Sequence, residues 1–176
     1  AAGLCELAGV ATSLGHSDDA ARFSSAGAAV RDGVIAHHTD ALGVLAQSRE
    51  DLLSGSHYID AATVEAINWG IIDPSGTVAS ATLDALLSEL VVSGTPGLMR
   101  NDDGGWYDSQ EWVFVDLRLI PALVAANETT KADELLSWLE AQALANDLQL
   151  AELHEEGTAD YAGSIPMIGF GAGAYL

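Results

Sequence analysis

One acidic residue near the end of the chain lies in a context that suits catalysis. Glu152 follows an amphipathic helical stretch that ends near Asn146, and a short acidic loop and a Gly/Pro turn, Gly163 to Pro166, come after it. A carboxylate held just beyond a helix end, among apolar residues, is suited to act as a general base. The competing interpretation is an exposed structural acid, because Glu152 is one of 26 Asp and Glu residues.

A Gly-rich loop between residues 93 and 107 carries the other candidate side chains. Arg100 can donate hydrogen bonds to a ligand or pair with a nearby aspartate. Trp106 and Tyr107 lie on the loop, where aromatic rings are available to stack on the apolar faces of a ligand. For Glu111, at the start of the next predicted helix, a capping role favoured by the helix dipole competes with a ligand contact. We predict that these four residues contact a substrate.

No residue pattern predicts a metal or an organic cofactor. Cys5 is the only cysteine and sits in an apolar helical run, so we interpret it as an inert thiol. His37 and His38 are adjacent, and neighbouring residues of a helix point about 100° apart, which rarely suits one shared ion. Phosphate-binding and nucleophile-elbow motifs are absent from the sequence.

The charge balance narrows the range of partners. The chain has 26 Asp and Glu against 6 Lys and Arg, a net charge of -20, so nucleic acid and anionic membranes would be repelled. The acids are scattered along the chain, and lysine is almost absent. This composition is typical of proteins from salt-adapted organisms, where salt screens the self-repulsion. It leaves the compartment open between a salt-adapted cytoplasm and secretion, and no apolar run is long enough to span a bilayer.

Helical signals dominate the sequence, and we predict an all-α domain covering residues 1–176. Apolar spacing at i, i+3, i+4 and i+7 is strongest at Leu83, Leu86, Leu87 and Leu90. We predict helices over residues 2–14, 17–38, 41–53, 60–70, the segment after Pro74, 108–126 and 129–145. The helix over 108–126 is apolar nearly all round, which predicts burial on every side. A small strand pair within 93–107 or 148–168, and strand or helix over 168–176, remain open.

Both ends of the chain lie in apolar, helix-like sequence, because it opens on Ala1-Ala2-Gly3-Leu4 and stops at Tyr175-Leu176. Chain ends are normally polar, so we expect a piece of a larger protein. Such a portion would leave apolar inner surface bare, and self-association is then a plausible consequence.

Four short stretches carry a family resemblance. The first is an aspartate-capped helix that ends in a Gly…Pro turn, Asp60-Ala61-Ala62 with Gly70 to Pro74. The second is a glycine-to-arginine approach to a loop, Gly97 to Arg100. The third is a helix end followed by Leu-x-Glu, Ala143 to Glu152, and the fourth is a Gly-Ser-x-Pro entry to a last segment, Gly163 to Pro166. In order and spacing they resemble the second half of the catalytic domain of the glucoamylase and glucodextranase-like glycoside hydrolases (family 15). The resemblance covers roughly two-thirds of the chain, as the span from Ile59 to the end shows.

The resemblance implies an (α/α)6 toroid, present here as a partial toroid of six to seven helices. It also implies inverting hydrolysis of α-glucosidic bonds in oligosaccharides or polysaccharides without a cofactor. In such enzymes an acid and a base stand about 6.5–9.5 Å apart to leave room for water. Glu152 matches the position of the general base. The family's general acid belongs to an earlier helical hairpin, so this chain alone is expected to be inactive.

Two departures keep other functions open. Leu153 stands where the family has Gln or Glu after the base, and Gly169 to Ala172 replace its aromatic-Ser-His element. The first alternative is a non-catalytic helical-array module that binds carbohydrate or protein. The second is another (α/α)6 sugar enzyme, such as an epimerase or an unsaturated-uronide hydrolase.

Overall fold

The computed structural model describes residues 1–55, 59–105, 110–155, 161–166 and 170–175. These residues form eight α-helices, one 3-10 helix over Ala61–Val64 and three short strands. The helices are α1 (Ala2–Ser13), α2 (Ser17–His37), α3 (Arg49–Ser54), α4 (Glu65–Asn68), α5 (Thr77–Glu89), α6 (Val113–Ala125), α7 (Thr129–Ala145) and α8 (Phe170–Tyr175). The strands are β1 (Glu111–Trp112), β2 (Ala151–His154) and β3 (Tyr161–Pro166).

The first two helices form a hairpin, and their predicted bounds are confirmed to within a residue. They approach each other where Gly27 lies against Cys5, at a distance that leaves no room for a larger residue. From its sequence Ser17 is a natural N-cap residue, but Ser17 is already helical and the N-cap position is taken by His16. Asp18 and Asp19 lie in the first turn, where negative charge complements the helix dipole.

The middle of the chain is less helical than the sequence predicts. The helix predicted over 41–53 is reduced to α3, because the Asp40 carboxylate accepts hydrogen bonds from the Leu42 and Val44 amides at 2.8 Å each. That turn, with Gly43 at φ 90°, uses residues that a helix would need. The predicted Asp60 cap is confirmed, since its carboxylate accepts from the Ala62 amide at 2.8 Å. After Asp60, the single helix predicted over 60–70 is divided into the 3-10 helix Ala61–Val64 and α4.

Helices α5, α6 and α7 supply most of the hydrophobic core. The apolar face predicted for α5 is buried at Leu83, Leu86 and Leu90. The bounds predicted for α7, residues 129–145, are confirmed at both ends. Helix α6 starts five residues later than predicted, because the residues before it pair with β2 as a strand. It is also not buried on every side, since Val124 is 53% exposed.

The three strands form an antiparallel sheet in the order β1-β2-β3. Strand β1 leads directly into α6, and β2 follows α7 after a five-residue turn. Glu111 lies opposite His154 and Trp112 lies opposite Leu153. A strand pair within residues 148–168, which the sequence left open, is therefore present. An irregularity between Ala151 and Leu153 interrupts the pairing of β2 with β3.

An ion pair joins α4 to α6. The Arg118 guanidinium donates to both oxygens of Glu65, at 2.6 and 2.8 Å. The hydrogen bond from Arg118 is the largest cause of a lowered pKa at Glu65, although partial burial opposes it. The Asn68 side-chain amide also donates to the Arg118 carbonyl at 2.8 Å, so the middle of α6 is held to α4 by two kinds of contact.

The fold class is all-α, as predicted, with helical hairpins around a shared core and one small sheet at the side. This is the architecture expected of a partial (α/α)6 toroid. None of the helices described is long and apolar enough to cross a membrane.

Candidate active site

Glu152 lies on strand β2, within the segment 148–168 where the sequence left a strand pair open. Its neighbours Ala151 and Leu153 are buried, while Glu152 itself is half-buried. Asp147 and Leu148 adopt positive φ angles of 54° and 61° in the turn that connects α7 to the strand. Strand β2 pairs with β1 and with β3, but Glu152 lies at the irregularity between Ala151 and Leu153 and has no partner of its own in either pairing. Its backbone is held through these two neighbours, and solvent can still reach its carboxylate.

Arg100 lies at the edge of the same sheet. Its guanidinium carbon is 5.7 Å from the centre of the Trp112 ring, within the range of a cation–π contact. Trp112 is opposite Leu153, the residue after Glu152. The Arg100 side chain is exposed, and its carbonyl accepts from the Ala61 amide at 2.8 Å, which fixes the backbone there. Trp112 therefore links Arg100 to the strand that carries Glu152.

The remaining predicted substrate contacts have different positions. Trp106 and Tyr107 lie outside the described residues. Glu111 is fully buried, and its carboxylate is bound by other protein groups. A sugar contact by Trp106 and Tyr107 stays a prediction, whereas the buried Glu111 carboxylate offers no surface to a sugar in this structure.

Glu111 is the centre of a buried polar cluster. The indole N–H of Trp138 donates to its two carboxylate oxygens, at 2.9 and 3.2 Å. Nδ1 of His154 lies 3.1 Å from Oε1. Burial alone raises the pKa of Glu111, but hydrogen bonds from His154, Trp138 and Asp116, together with the charge of a protonated His154, hold that pKa below its usual range. One carboxylate thus joins β1, β2 and α7.

Asp116 is a second fully buried carboxyl group in this cluster. Its Oδ1 accepts a hydrogen bond from the Leu98 amide at 2.8 Å. Its Oδ2 is buried and has no donor among the described residues. Burial, followed by repulsion from Glu111, raises the pKa of Asp116 well above its usual range, against the opposing effect of the Leu98 hydrogen bond. A proton on Asp116 makes this group a donor to Glu111 and removes the conflict between two buried negative charges.

Gly97 allows the backbone to pass directly over the Glu111 carboxyl group. A Cβ at this position would overlap the Glu111 Cδ atom and lie 2.6 Å from Oε1. The next residue, Leu98, donates its amide to Asp116 and accepts through its carbonyl from the Trp112 amide at 2.8 Å. The segment at 97–98 therefore covers both buried carboxyl groups and is bonded to the strand below them.

Sequence reasoning missed most of this cluster. His154 carried no pattern that singled it out, and Trp112 and Trp138 fell within predicted helices. A charged Asp116 within the most apolar predicted helix was the one available signal. Across the described residues, no group of three or more His, Cys, Asp or Glu side chains could hold a metal ion.

Comparison with known proteins identifies a solved structure with a similar fold. No protein-family model matches the chain, and no curated protein matches it. Six chains of solved structures match it. One of them, described as a wild-type glycosidase, shares 26% sequence identity with a TM-score of 0.63. The match covers 76% of this chain and 34% of that one, so this chain spans about a third of the glycosidase. The chain has a glycoside hydrolase-like fold.

Proposed function

We propose that this chain is part of a glycoside hydrolase that cleaves α-glucosidic bonds with inversion, and that Glu152 is its general base. The observation that carries the proposal is a half-buried carboxylate on a strand paired on both sides, within a glycosidase-like fold. Strand β2, which carries Glu152, pairs with β1, whose Trp112 lies against the exposed Arg100. A carboxylate, an aromatic surface on which a sugar can stack and a hydrogen-bond donor are among the components that a sugar-cleaving site requires.

In the proposed reaction, Glu152 takes a proton from a water molecule as the water oxygen attacks the anomeric carbon. The glycosidic C–O bond breaks, and a carboxylic acid from outside residues 1–176 protonates the leaving oxygen. Water attacks the face opposite the leaving group, so the configuration at the anomeric carbon inverts. Arg100 donates to sugar hydroxyls, and the loop aromatics Trp106 and Tyr107 stack against the ring. Neither a metal nor an organic cofactor is required.

The stereochemistry of the first product tests this proposal. We expect the catalytic domain containing this sequence to release β-glucose first from maltose or starch, as followed by proton NMR before mutarotation. The 176-residue chain alone should release none, because it lacks the acid. Release of α-glucose first would contradict inversion. Turnover by the chain alone would contradict the proposal that the general acid lies outside residues 1–176.

A non-catalytic carbohydrate-binding module is the second candidate. It is favoured by one observation, the replacement of the aromatic-Ser-His element by Gly169 to Ala172. The same NMR experiment separates the two functions, because a binding module would perturb saccharide resonances without forming product. A new sugar isomer or an unsaturated product would instead indicate a different (α/α)6 sugar enzyme.

A further inference from the structure

We infer that Glu111, His154 and a protonated Asp116 form a positioning unit that fixes the strand carrying the general base. The inference rests on the proposed role of Glu152. All three side chains are buried, so they do not contact the substrate themselves. They act on catalysis through the backbone of β2.

Connectivity is the first argument. His154 lies two residues after Glu152 on β2, and its Nδ1 is 3.1 Å from Glu111 on β1. Trp138, on the helix that leads into β2, donates to the same carboxylate. Glu111 therefore joins the segment before Glu152 to the segment after it. A strand of four residues has few backbone hydrogen bonds of its own, so these side-chain bonds carry much of its alignment.

Donor and acceptor balance is the second argument. A Glu111 carboxylate can only accept, and both Trp138 and His154 supply donors. An ionised Asp116 beside it would place two acceptors together in a buried site, with Oδ2 of Asp116 lacking any donor among the described residues. A neutral Asp116 accepts from the Leu98 amide with Oδ1 and donates from Oδ2 to Glu111. All the buried polar groups of the unit are then satisfied.

The close approach of Gly97 is the third argument. The backbone lies so near the Glu111 carboxyl group that no side chain fits between them. Glu111 cannot swing towards this segment, and Trp138 and His154 hold its other sides. A carboxylate that is only filling space would not need contacts from three separate segments. A displacement of about 1 Å in a catalytic group can cost about a hundredfold in rate, so such rigidity has a functional use.

The first experiment tests the proton on Asp116 without any assay of hydrolysis. The titratable group that faces Asp116 in the described structure is Glu111 from β1, which is in turn in contact with His154 from β2. In Asp116→Asn, the amide reproduces a neutral acid, because its oxygen accepts from Leu98 and its nitrogen donates to Glu111. Wild type and variant are unfolded with guanidinium at a series of pH values that starts near the pKa of an unfolded Asp and extends upward.

The expected sign follows from the raised pKa of Asp116 in the folded state. Its favourable contribution is fully present below the pKa of an unfolded Asp and is lost as pH rises through the folded value. The unfolding midpoint of the wild type should therefore fall relative to that of Asp116→Asn as pH rises. Asp116→Ala should be less stable than Asp116→Asn at every pH. A constant difference between wild type and Asp116→Asn would overturn the assignment of the proton.

The second experiment tests positioning in the full catalytic domain. In Glu111→Gln, the amide nitrogen faces the donors of Trp138 and His154, so the alignment of β2 should loosen. We expect kcat for maltose to fall about tenfold or more with KM within about twofold, and the acidic limb of the pH profile of kcat/KM to shift. Loss of folded protein alone would lower the number of active sites without moving that limb. Unchanged kcat and limb in folded Glu111→Gln would overturn the inference.

Milder variants cover the case in which Glu111→Gln does not fold. Trp138→Phe removes one donor and keeps an aromatic ring, and should lower kcat in the same direction by a smaller factor. His154→Asn places an amide nitrogen near the position of Nδ1, so it should retain more of kcat than His154→Ala. Equal losses for the two His154 variants would contradict a positioning bond. A wild-type domain without hydrolase activity would overturn the proposed function and this role together, while the Asp116 result would stand.

Discussion

Replacing Glu152 with glutamine should reduce kcat for hydrolysis of maltose or starch by at least about a hundredfold in the full catalytic domain. The amide has nearly the same size as the carboxylate, but it cannot accept a proton from the attacking water. Because the Glu152 side chain is only half-buried, this substitution should leave the fold unchanged. KM should change little, since the loss falls on the transition state.

The matched control is Glu155→Gln. Glu155 is exposed and follows directly after β2, three residues from Glu152. It carries the same charge on the same segment, so any general effect of removing one acid from this very acidic chain would appear there. We expect nearly unchanged kcat for Glu155→Gln. Reversed results, with Glu155→Gln inactive and Glu152→Gln active, would show that the base had been assigned to the wrong residue.

Replacing Gly97 with alanine should lower the free energy of unfolding by about 1–3 kcal/mol, the usual range for overpacking a rigid site. The added Cβ would overlap the Glu111 carboxyl group. Glu111 cannot move aside without losing its hydrogen bonds to Trp138 and His154, and the backbone cannot move without weakening the Leu98 bond to Asp116. Urea or guanidinium unfolding followed by circular dichroism measures the change.

Gly33→Ala is the control for the effect of a new methyl group. Gly33 lies within α2, and a Cβ there meets no atom within 4 Å. Alanine should stabilise this helix by roughly 0.5–1 kcal/mol, because glycine loses more conformational freedom on folding. Equal stabilities for Gly97→Ala and wild type would mean that the backbone over Glu111 is more adaptable than its contacts indicate.

The sequence predicts the helices well where a long apolar face decides the structure. The bounds of α7 and the buried leucines of α5 follow directly from the spacing of their apolar residues. Prediction fails where a local side-chain hydrogen bond or a strand partner far along the chain overrides the helical pattern. The Asp40 turn shortens α3, and strand pairing removes the first turns predicted for α6. These effects depend on a particular side-chain bond or on a partner far along the chain.

The candidate site was predictable only in part. Family resemblance directs attention to Glu152 and Arg100, and the structure places both beside the same small sheet. The buried cluster has no local signature, because Glu111 and His154 are 43 residues apart and meet only when β1 pairs with β2. An aspartate within an apolar helix indicates a buried polar group, but its partner and its protonation depend on tertiary packing.

Chemical rescue of Glu152→Ala tests the central claim most directly. The substrate is α-glucosyl fluoride, whose leaving group needs little help from an acid. Removing the carboxylate should nearly abolish fluoride release and leave space for a small anion. Added azide should then attack the anomeric carbon as the C–F bond breaks, restoring fluoride release and forming β-glucosyl azide that NMR can identify. Hydrolysis of α-glucosyl fluoride by Glu152→Ala at the wild-type rate without azide would contradict the assignment of the general base.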